Sequence, residues 1–270
     1  MMQIGIIGAG YVGEALAARL VETGYKVKVA NSRGRDSLAA FARKTGAQAT
    51  DIEDISSGVN ILVVAIPMAR VAELPKSVID TLPQGAIVVD AGNYYPLRDG
   101  EIATIDQGMP ESAWVSQQLG IPVIKVFNNI IASRLATCGK PKGDRHRIAL
   151  PVAGDDPKAR TTIMGLVETL GFSAFDAGPI SESWRQQPGQ PAYCTDPTLA
   201  ELPLLLKRAD RMEAARNRDK AARILPKLPE TYSTEQLVRV ARFFVGLDRL
   251  KPASWIAMLR LGYTLLRSPR

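Results

Sequence analysis

Histidine occurs once in the 270 residues, as His146, and cysteine twice, as Cys138 and Cys194. One histidine cannot build a His-rich metal site, and no Ser or Cys near it has the carboxylate that a nucleophilic triad needs. The sequence therefore gives no metal ligand set, and His146, inside the basic stretch "KPKGDRHR", reads as a loop residue. The two cysteines lack metal-type spacing and read as reduced thiols of a cytoplasmic protein rather than as a disulfide. No run of about 18 uninterrupted apolar residues is present, which argues against a spanning helix. The N-terminus "MMQIGIIGAG" enters a strand-like run with no basic n-region, which argues against a signal peptide. Low-complexity tracts and internal repeats are also missing.

A negative excess is missing as well: the formal net charge is +7. It is unevenly spread. Residues 1–200 carry 19 Lys+Arg against 20 Asp+Glu, and residues 201–270 carry 15 against 7. Any argument about a charged partner therefore concerns the C-terminal segment.

What is present is a hydrophobic content of 46%, enough for one large domain with a smaller appendage. Strand-like and helix-like segments alternate: "MQIGIIG", then a helical "GAGYVGEALAARLVETG", then "KVKVA", then "DSLAAFARKTG". "NILVVAIP" is a continuous apolar run, as in a parallel strand buried on both faces. "AIVVDAG", "IPVIKVFNN", "HRIALPVAG" and "SAFDAGPI" extend the strands. "ESAWVSQQLG" and "DPKARTTIMGLVETLG" extend the helices, the second capped by Asp155 or Asp156. This alternation predicts a doubly wound, mostly parallel α/β sheet, Rossmann-type, over residues 1–180. Ligands of such sheets bind outside the C-terminal strand ends. Residues 181–197, with their prolines, read as a connector, and residues 198–270 as a basic helical extension.

Gly8-Ala9-Gly10-Tyr11-Val12-Gly13 fits G-x-G-x-x-G between a strand and a helix, the context that a dinucleotide fingerprint requires. Gly8 permits the turn, Gly10 the approach of a pyrophosphate, and Gly13 close helix–sheet packing. Amides near Tyr11 and Val12 would face the phosphates. An NAD-binding unit carries Asp or Glu at the end of the second strand to hold the ribose 2′-hydroxyl. This chain has no acid there: "VANSRGRD" writes Asn31, Ser32 and Arg33. A hydroxyl and a guanidinium suit a 2′-phosphate, so NADP(H) is favoured over NAD(H). The competing view is that Arg33 and Arg35 are solvated charges, with Asp36 free to pair with either.

"IGAGYVGEALAARL", "VANSRGRD", "ILVVAIPM", "IVVDAGNYYP", "VIKVFNN", "VAGDDPKAR" and "GFSAFDAGPI" occur in the order and spacing of the NADPH-dependent coenzyme F420 reductase family. The chain resembles that family from Met2 to about Ile180. The resemblance implies an NADP-dependent oxidoreductase passing hydride between NADP(H) and a deazaflavin, a flavin or a similar acceptor. Related domains of six-transmembrane ferric reductases pass hydride to a flavin. By motif, the resemblance puts the pyrophosphate at Gly8 to Val12 and the 2′-phosphate at Ser32 and Arg33. Ile66 and Pro67 would line the passage to the nicotinamide. Ala91, Gly92, Asn93 and Asn128 would edge the nicotinamide and acceptor. Met68 stands where archaeal members often carry Trp, and the tail is longer than theirs.

Hydride transfer asks the protein for orientation and electrostatics rather than for an acid or base, and no catalytic residue is named. Asn93, Asn128 and Asn129 suit a carboxamide edge or, equally, the bracing of their own loops. Lys125 reads as snorkelling from an edge rather than as a cation at the site. Tyr94-Tyr95-Pro96 could stack an acceptor or simply pack. Trp184 and "QQPGQPAY" read as connector rather than lid. For the tail, a helical cap or homodimer arm burying Leu204, Leu205, Ile224 and Leu225 is favoured over membrane-surface contact by "WIAMLRLGYTLLR". No nucleic-acid motif accompanies its charge. Two other readings stay open: an NADP(H)-binding regulator without turnover, and an imine reductase of the pyrroline-5-carboxylate type.

Overall fold

Ile4 and Ile6 face one hydrophobic layer, and Ile7 faces the other. Ile61 and Val63 against Leu62 and Val64 repeat this alternation, which is why the apolar run shows no polar face. The computed structural model describes residues 2–229 and 232–267. Six strands pair in parallel in the order β3-β2-β1-β4-β5-β6: β1 (Gln3–Ile7), β2 (Lys26–Ala30), β3 (Gln48–Ala49), β4 (Ile61–Val64), β5 (Ile87–Asp90) and β6 (Val123–Lys125). The chain runs outward from β1 to β3, then crosses to β4. The crevice of this doubly wound sheet therefore opens at the C-terminal ends of β1 and β4.

The helices before the tail are α1 (Tyr11–Glu22), α2 (Ala39–Thr45), α3 (Ser77–Asp80), α4 (Pro96–Asp99), α5 (Ala103–Asp106), α6 (Glu111–Leu119), α7 (Ala132–Thr137) and α8 (Pro157–Thr169). Asp156 is the cap of α8, accepting from the Lys158 and Ala159 amides, while Asp155 accepts from the Ile180 amide. The last two strands do not extend the main sheet. β7 (Ala149–Val152) and β8 (Ser173–Asp176) pair with each other in parallel and join β6 through a single antiparallel bridge, Lys125 to Ala153. β6 lasts only three residues, and the small sheet crosses it closely. A Cβ on Gly154 would lie 2.2 Å from Ile124 Cδ1.

The connector is largely buried: Ser183, Gln186, Gln190, Ala192, Thr195 and Asp196 are all covered. Beyond it lie α9 (Leu202–Lys207), α10 (Arg211–Ile224), α11 (Thr234–Phe244) and α12 (Pro252–Arg267). The buried face of α9 is Leu202, Leu205 and Leu206, packed on Ala149 and Ala192. Leu204 and Leu225, expected inside, are exposed, because Asp210 caps a new helix at Arg211 and breaks the phase of one continuous helix. α11 opens with the Ser233–Gln236 capping box. Among the described residues no helix is long and apolar enough to cross a membrane.

Arg242 of α11 ties the tail to the connector. It donates to Glu201 Oε1 at 2.8 Å, to Asp248 Oδ2 at 2.7 Å, and to the Thr195 and Asp196 carbonyls at 3.1 Å. Arg242→Ala should cost about 2 kcal/mol, within the range for hydrogen bonds to charged groups. Limited proteolysis should then cut residues 198–267 faster than it does in the parent. An unchanged cleavage pattern would show that the apolar contacts alone hold the tail.

Candidate dinucleotide site

β1 ends at Ile7, and the chain turns through Gly8 into α1. Gly8 has φ +117, and a Cβ there would lie 2.3 Å from the Ala65 carbonyl oxygen beyond β4. A Cβ on Gly13 would lie 2.0 Å from the Gly8 carbonyl oxygen. The fold itself demands both glycines. Gly10 is different: its φ is −83°, and a Cβ would meet nothing within 4 Å. It caps α1 with no side-chain hydrogen bond, so the first amides of the helix face open space. A bare positive helix end behind a residue without a side chain fits a diphosphate.

At the end of β2, Asn31 is buried and shapes its own loop. Its Oδ1 accepts from the Arg33 amide at 2.9 Å, and its Nδ2 donates to Ser37 Oγ at 3.0 Å. Ser32 and Arg33 are left pointing outward. Arg35 pairs with Asp51 at 3.7 Å, and Asp36 pairs with neither arginine. Arg33 has no carboxylate partner among the described residues, and with Ala9, Glu14, Ser37 and Lys44 it borders a cavity of about 200 Å³. An unpaired guanidinium beside the glycine turn suits the 2′-phosphate of NADP(H).

Ile66 and Pro67 follow β4 at the crevice, half-buried and exposed respectively. Met68 turns inward and is fully buried, so it offers no platform there. Beyond β5, Ala91 and Gly92 are buried and Asn93 is half-buried. Asn93 Nδ2 donates to the Asn128 carbonyl at 3.0 Å, and Asn128 Nδ2 donates to Asn93 Oδ1 at 3.1 Å and to the Gln186 carbonyl at 2.8 Å. Gln186 Nε2 in turn reaches Asn128 Oδ1 at 3.1 Å. The structure thus brings Asn93 and Asn128 together, with Asn128 buried and bracing the connector and Asn93 the more exposed of the two. Tyr94 is a packing residue: it is fully buried, and its hydroxyl bonds Gly100, Ile102 and Asp106. Tyr95 shares a 2.7 Å hydroxyl contact with Tyr193 of the connector, and burial pushes its phenol up to about 12.

Lys125 does not snorkel. It is 0% exposed, and its ammonium donates to Asp90 Oδ2 at 3.0 Å and to the Gly92 carbonyl at 2.6 Å. Glu111, also buried, lies 3.8 Å from it. Phe127, Cys194 and Asp196, the non-glycine residues with positive φ among those described, all lie where the connector meets the β6 loop. The Cys194 amide donates to the Asn129 carbonyl there at 2.8 Å. Trp184 has the Arg185 and Arg211 guanidiniums 4.5 and 4.3 Å from its ring centre, so it stacks on this chain's own cations. His146 is an exposed loop residue.

A 56-residue stretch is 52% identical to the Escherichia coli protein YjhV, covering 21% of this chain and 41% of that one. Over 182 residues the chain is 25% identical to the rat metalloreductase STEAP3, covering 67% of this chain and 35% of the relative. The chain therefore spans less than half the length of either relative. The crystal structure of the hypothetical protein SMa0349 from Sinorhizobium meliloti superposes with a TM-score of 0.63 at 27% identity, over 73% of this chain and 96% of that one. Residues 3–94 match the family described as NADP oxidoreductase, coenzyme F420-dependent. That segment holds the glycine turn, the open face of Gly10 and Arg33, which has no carboxylate partner among the described residues, so the likeness to an NADP oxidoreductase falls on the residues that form this cradle.

Proposed function

We propose that the protein is an NADPH-dependent oxidoreductase that passes hydride to a planar redox acceptor of the flavin or deazaflavin kind. The observation that carries the reading is the open Gly10 face at the start of α1 together with the unpaired Arg33, which shares a cavity with the neighbouring Ala9. The rat relative's name, a metalloreductase, and the family's description both support a reductase. The reading is of a cytoplasmic homodimer, and light scattering on the purified chain tests the dimer.

In this reading the α1 amides hold the diphosphate and Ser32 and Arg33 hold the 2′-phosphate. Ile66 and Pro67 line the passage across the crevice, and the loop 91–93 meets the nicotinamide. NADPH supplies the hydride when bound. The chain orients it: Asn93, held by Asn128, presents its amide to a carboxamide, and the buried connector closes one side against water. No proton donor is asked of the protein.

NADPH oxidation with a panel of deazaflavin, flavin, ferric and quinone acceptors tests the proposal. Turnover with a flavin or deazaflavin supports it. Tight NADPH binding without turnover on any of them would replace it with a regulatory role. Arg33→Ala should weaken NADPH by about 1.5–3 kcal/mol, the range for hydrogen bonds to charged groups, and leave NADH nearly unaffected. Fluorescence titration reads both, and equal loss for both would remove Arg33 as the discriminator.

A further inference from the structure

Gly92 is gripped at both ends of its peptide plane by buried charge. Its amide donates to Asp90 Oδ1 at 2.8 Å, and its carbonyl accepts from the Lys125 ammonium at 2.6 Å. A Cβ at Gly92 would lie 2.9 Å from Asp90 Oδ1, so a side chain there would have to displace the carboxylate that grips the amide. Ser112 donates to the other Asp90 oxygen at 2.6 Å, which that oxygen shares with Lys125. The next residues, Asn93 and Tyr94, follow directly from this clamp.

Glu111 completes the cluster and is its odd member. It is buried at the first position of α6, and its Oε2 has no hydrogen-bond partner although it lies 3.8 Å from the Lys125 ammonium. The Tyr94 backbone N–H donates to its carboxylate. The charged groups facing it are Asp90 from β5, Lys125 from β6 and Arg218 from α10, with the Tyr95 phenol nearby. One ammonium therefore stands between two carboxylates, bonded to one of them and just out of reach of the other.

We propose that Glu111 is a positioning residue whose proton sets the grip of Lys125 on the Gly92 carbonyl, and through it the pose of Asn93. With Glu111 neutral, the ammonium rests on Asp90 and Gly92. When Glu111 releases its proton to solvent, the new charge draws the ammonium across the 3.8 Å gap and the clamp on Gly92 loosens. Burial supports a proton exchange near neutral pH, pushing the Glu111 carboxyl from 4.5 up to about 7 against the opposing pull of Lys125. Its folded value lies above its unfolded one. The favourable contribution is therefore present below 4.5 and is lost as pH rises through about 7.

The consequence for the cofactor rests on the placement of the nicotinamide at loop 91–93. The test compares NADPH with 2′-phospho-ADP-ribose, which shares the 2′-phosphate and the diphosphate and lacks the nicotinamide, so that phosphate ionisation largely cancels in the ratio of their affinities. Between about pH 6 and pH 8.5 the preference for NADPH should fall about fivefold in the parent protein, an ordinary two-site coupling. In Glu111→Gln it should stay at its low-pH value. A flat ratio in the parent with both ligands bound, or an undiminished slope in the variant, overturns the proposal and leaves the NADPH reading standing. Failure of both ligands to bind overturns the NADPH reading. Thermal melting then decides the proton alone: Glu111→Gln should match the parent near pH 5 and melt higher near pH 8.5, and equal melting at both would overturn the titration.

Discussion

Lys125→Met should cost about 3–5 kcal/mol of folding stability, the range for removing one partner of a buried ion pair. The ammonium is fully buried and is the cation in contact with both Asp90 and Glu111, while Gly92 depends on it for its carbonyl. Glu111 also loses the largest influence that opposes its upward shift. In the variant the folded state therefore holds its proton to still higher pH than the unfolded chain does. The loss of stability should grow as pH rises. Chemical denaturation near pH 5.5 and pH 8.5 checks this, with the greater loss at the upper value. Adding Glu111→Gln should recover part of the loss at high pH, because it removes the stranded charge, and a double-mutant cycle measures that coupling. A loss below about 1 kcal/mol at both values, typical of exposed pairs, would mean that water solvates the cluster.

Gly10→Ala and Gly13→Ala should fail in opposite ways. A Cβ at position 13 would sit 2.0 Å from a backbone oxygen that no rotamer can move, so helix and turn must part. The cost should exceed about 3 kcal/mol, the top of the usual range for overpacking, and the melting temperature should collapse. At position 10 a Cβ meets no protein atom, and the backbone there suits alanine. The melting temperature should therefore hold within a few degrees of the parent. NADPH affinity should nonetheless drop at least about tenfold, or 1.4 kcal/mol, because the methyl group enters the space in front of the helix amides. Calorimetry and fluorescence titration on the two variants separate fold from site. Intact binding in Gly10→Ala would place the diphosphate elsewhere.

The glycine turn, the alternation of β1, β2, β4, β5 and β6 and a cap at Asp155 or Asp156 are legible because each is a local signal, carried within a few residues. The pairing partner of a strand is not local. Nothing in "HRIALPVAG" says that β7 leaves the main sheet to pair with β8, and two residues at β3 are too few to show any period. The snorkelling expected of Lys125 fails for the same reason. Its partner Asp90 is 35 residues away in sequence and its neighbour Glu111 sits on a helix, so a lysine in an apolar strand gave no hint of a buried pair. The polar loop that holds Asn128 is visible in the sequence, but its bond to Gln186 lies 58 residues on, beyond any spacing rule. For the connector, the prolines mark irregular chain and say nothing of burial; tertiary contacts with β6 and β7 bury it.

Gln186 reaches the Lys125 carbonyl on β6, Asn128 in the following loop and the Pro151 carbonyl on β7. A chain leaving the ribosome from its N-terminus therefore completes its two ends at different times. The glycine turn and strands β1, β2 and β4 find their backbone partners early, within residues 3–94, while α1 still waits for α7 and Leu170. The loop at the far end has to wait until residue 186 has emerged, because contacts so distant along the chain form late. The half proposed to hold the phosphates thus pairs its strands first, and a nascent chain stalled before the connector would carry a paired glycine turn beside an unfinished wall.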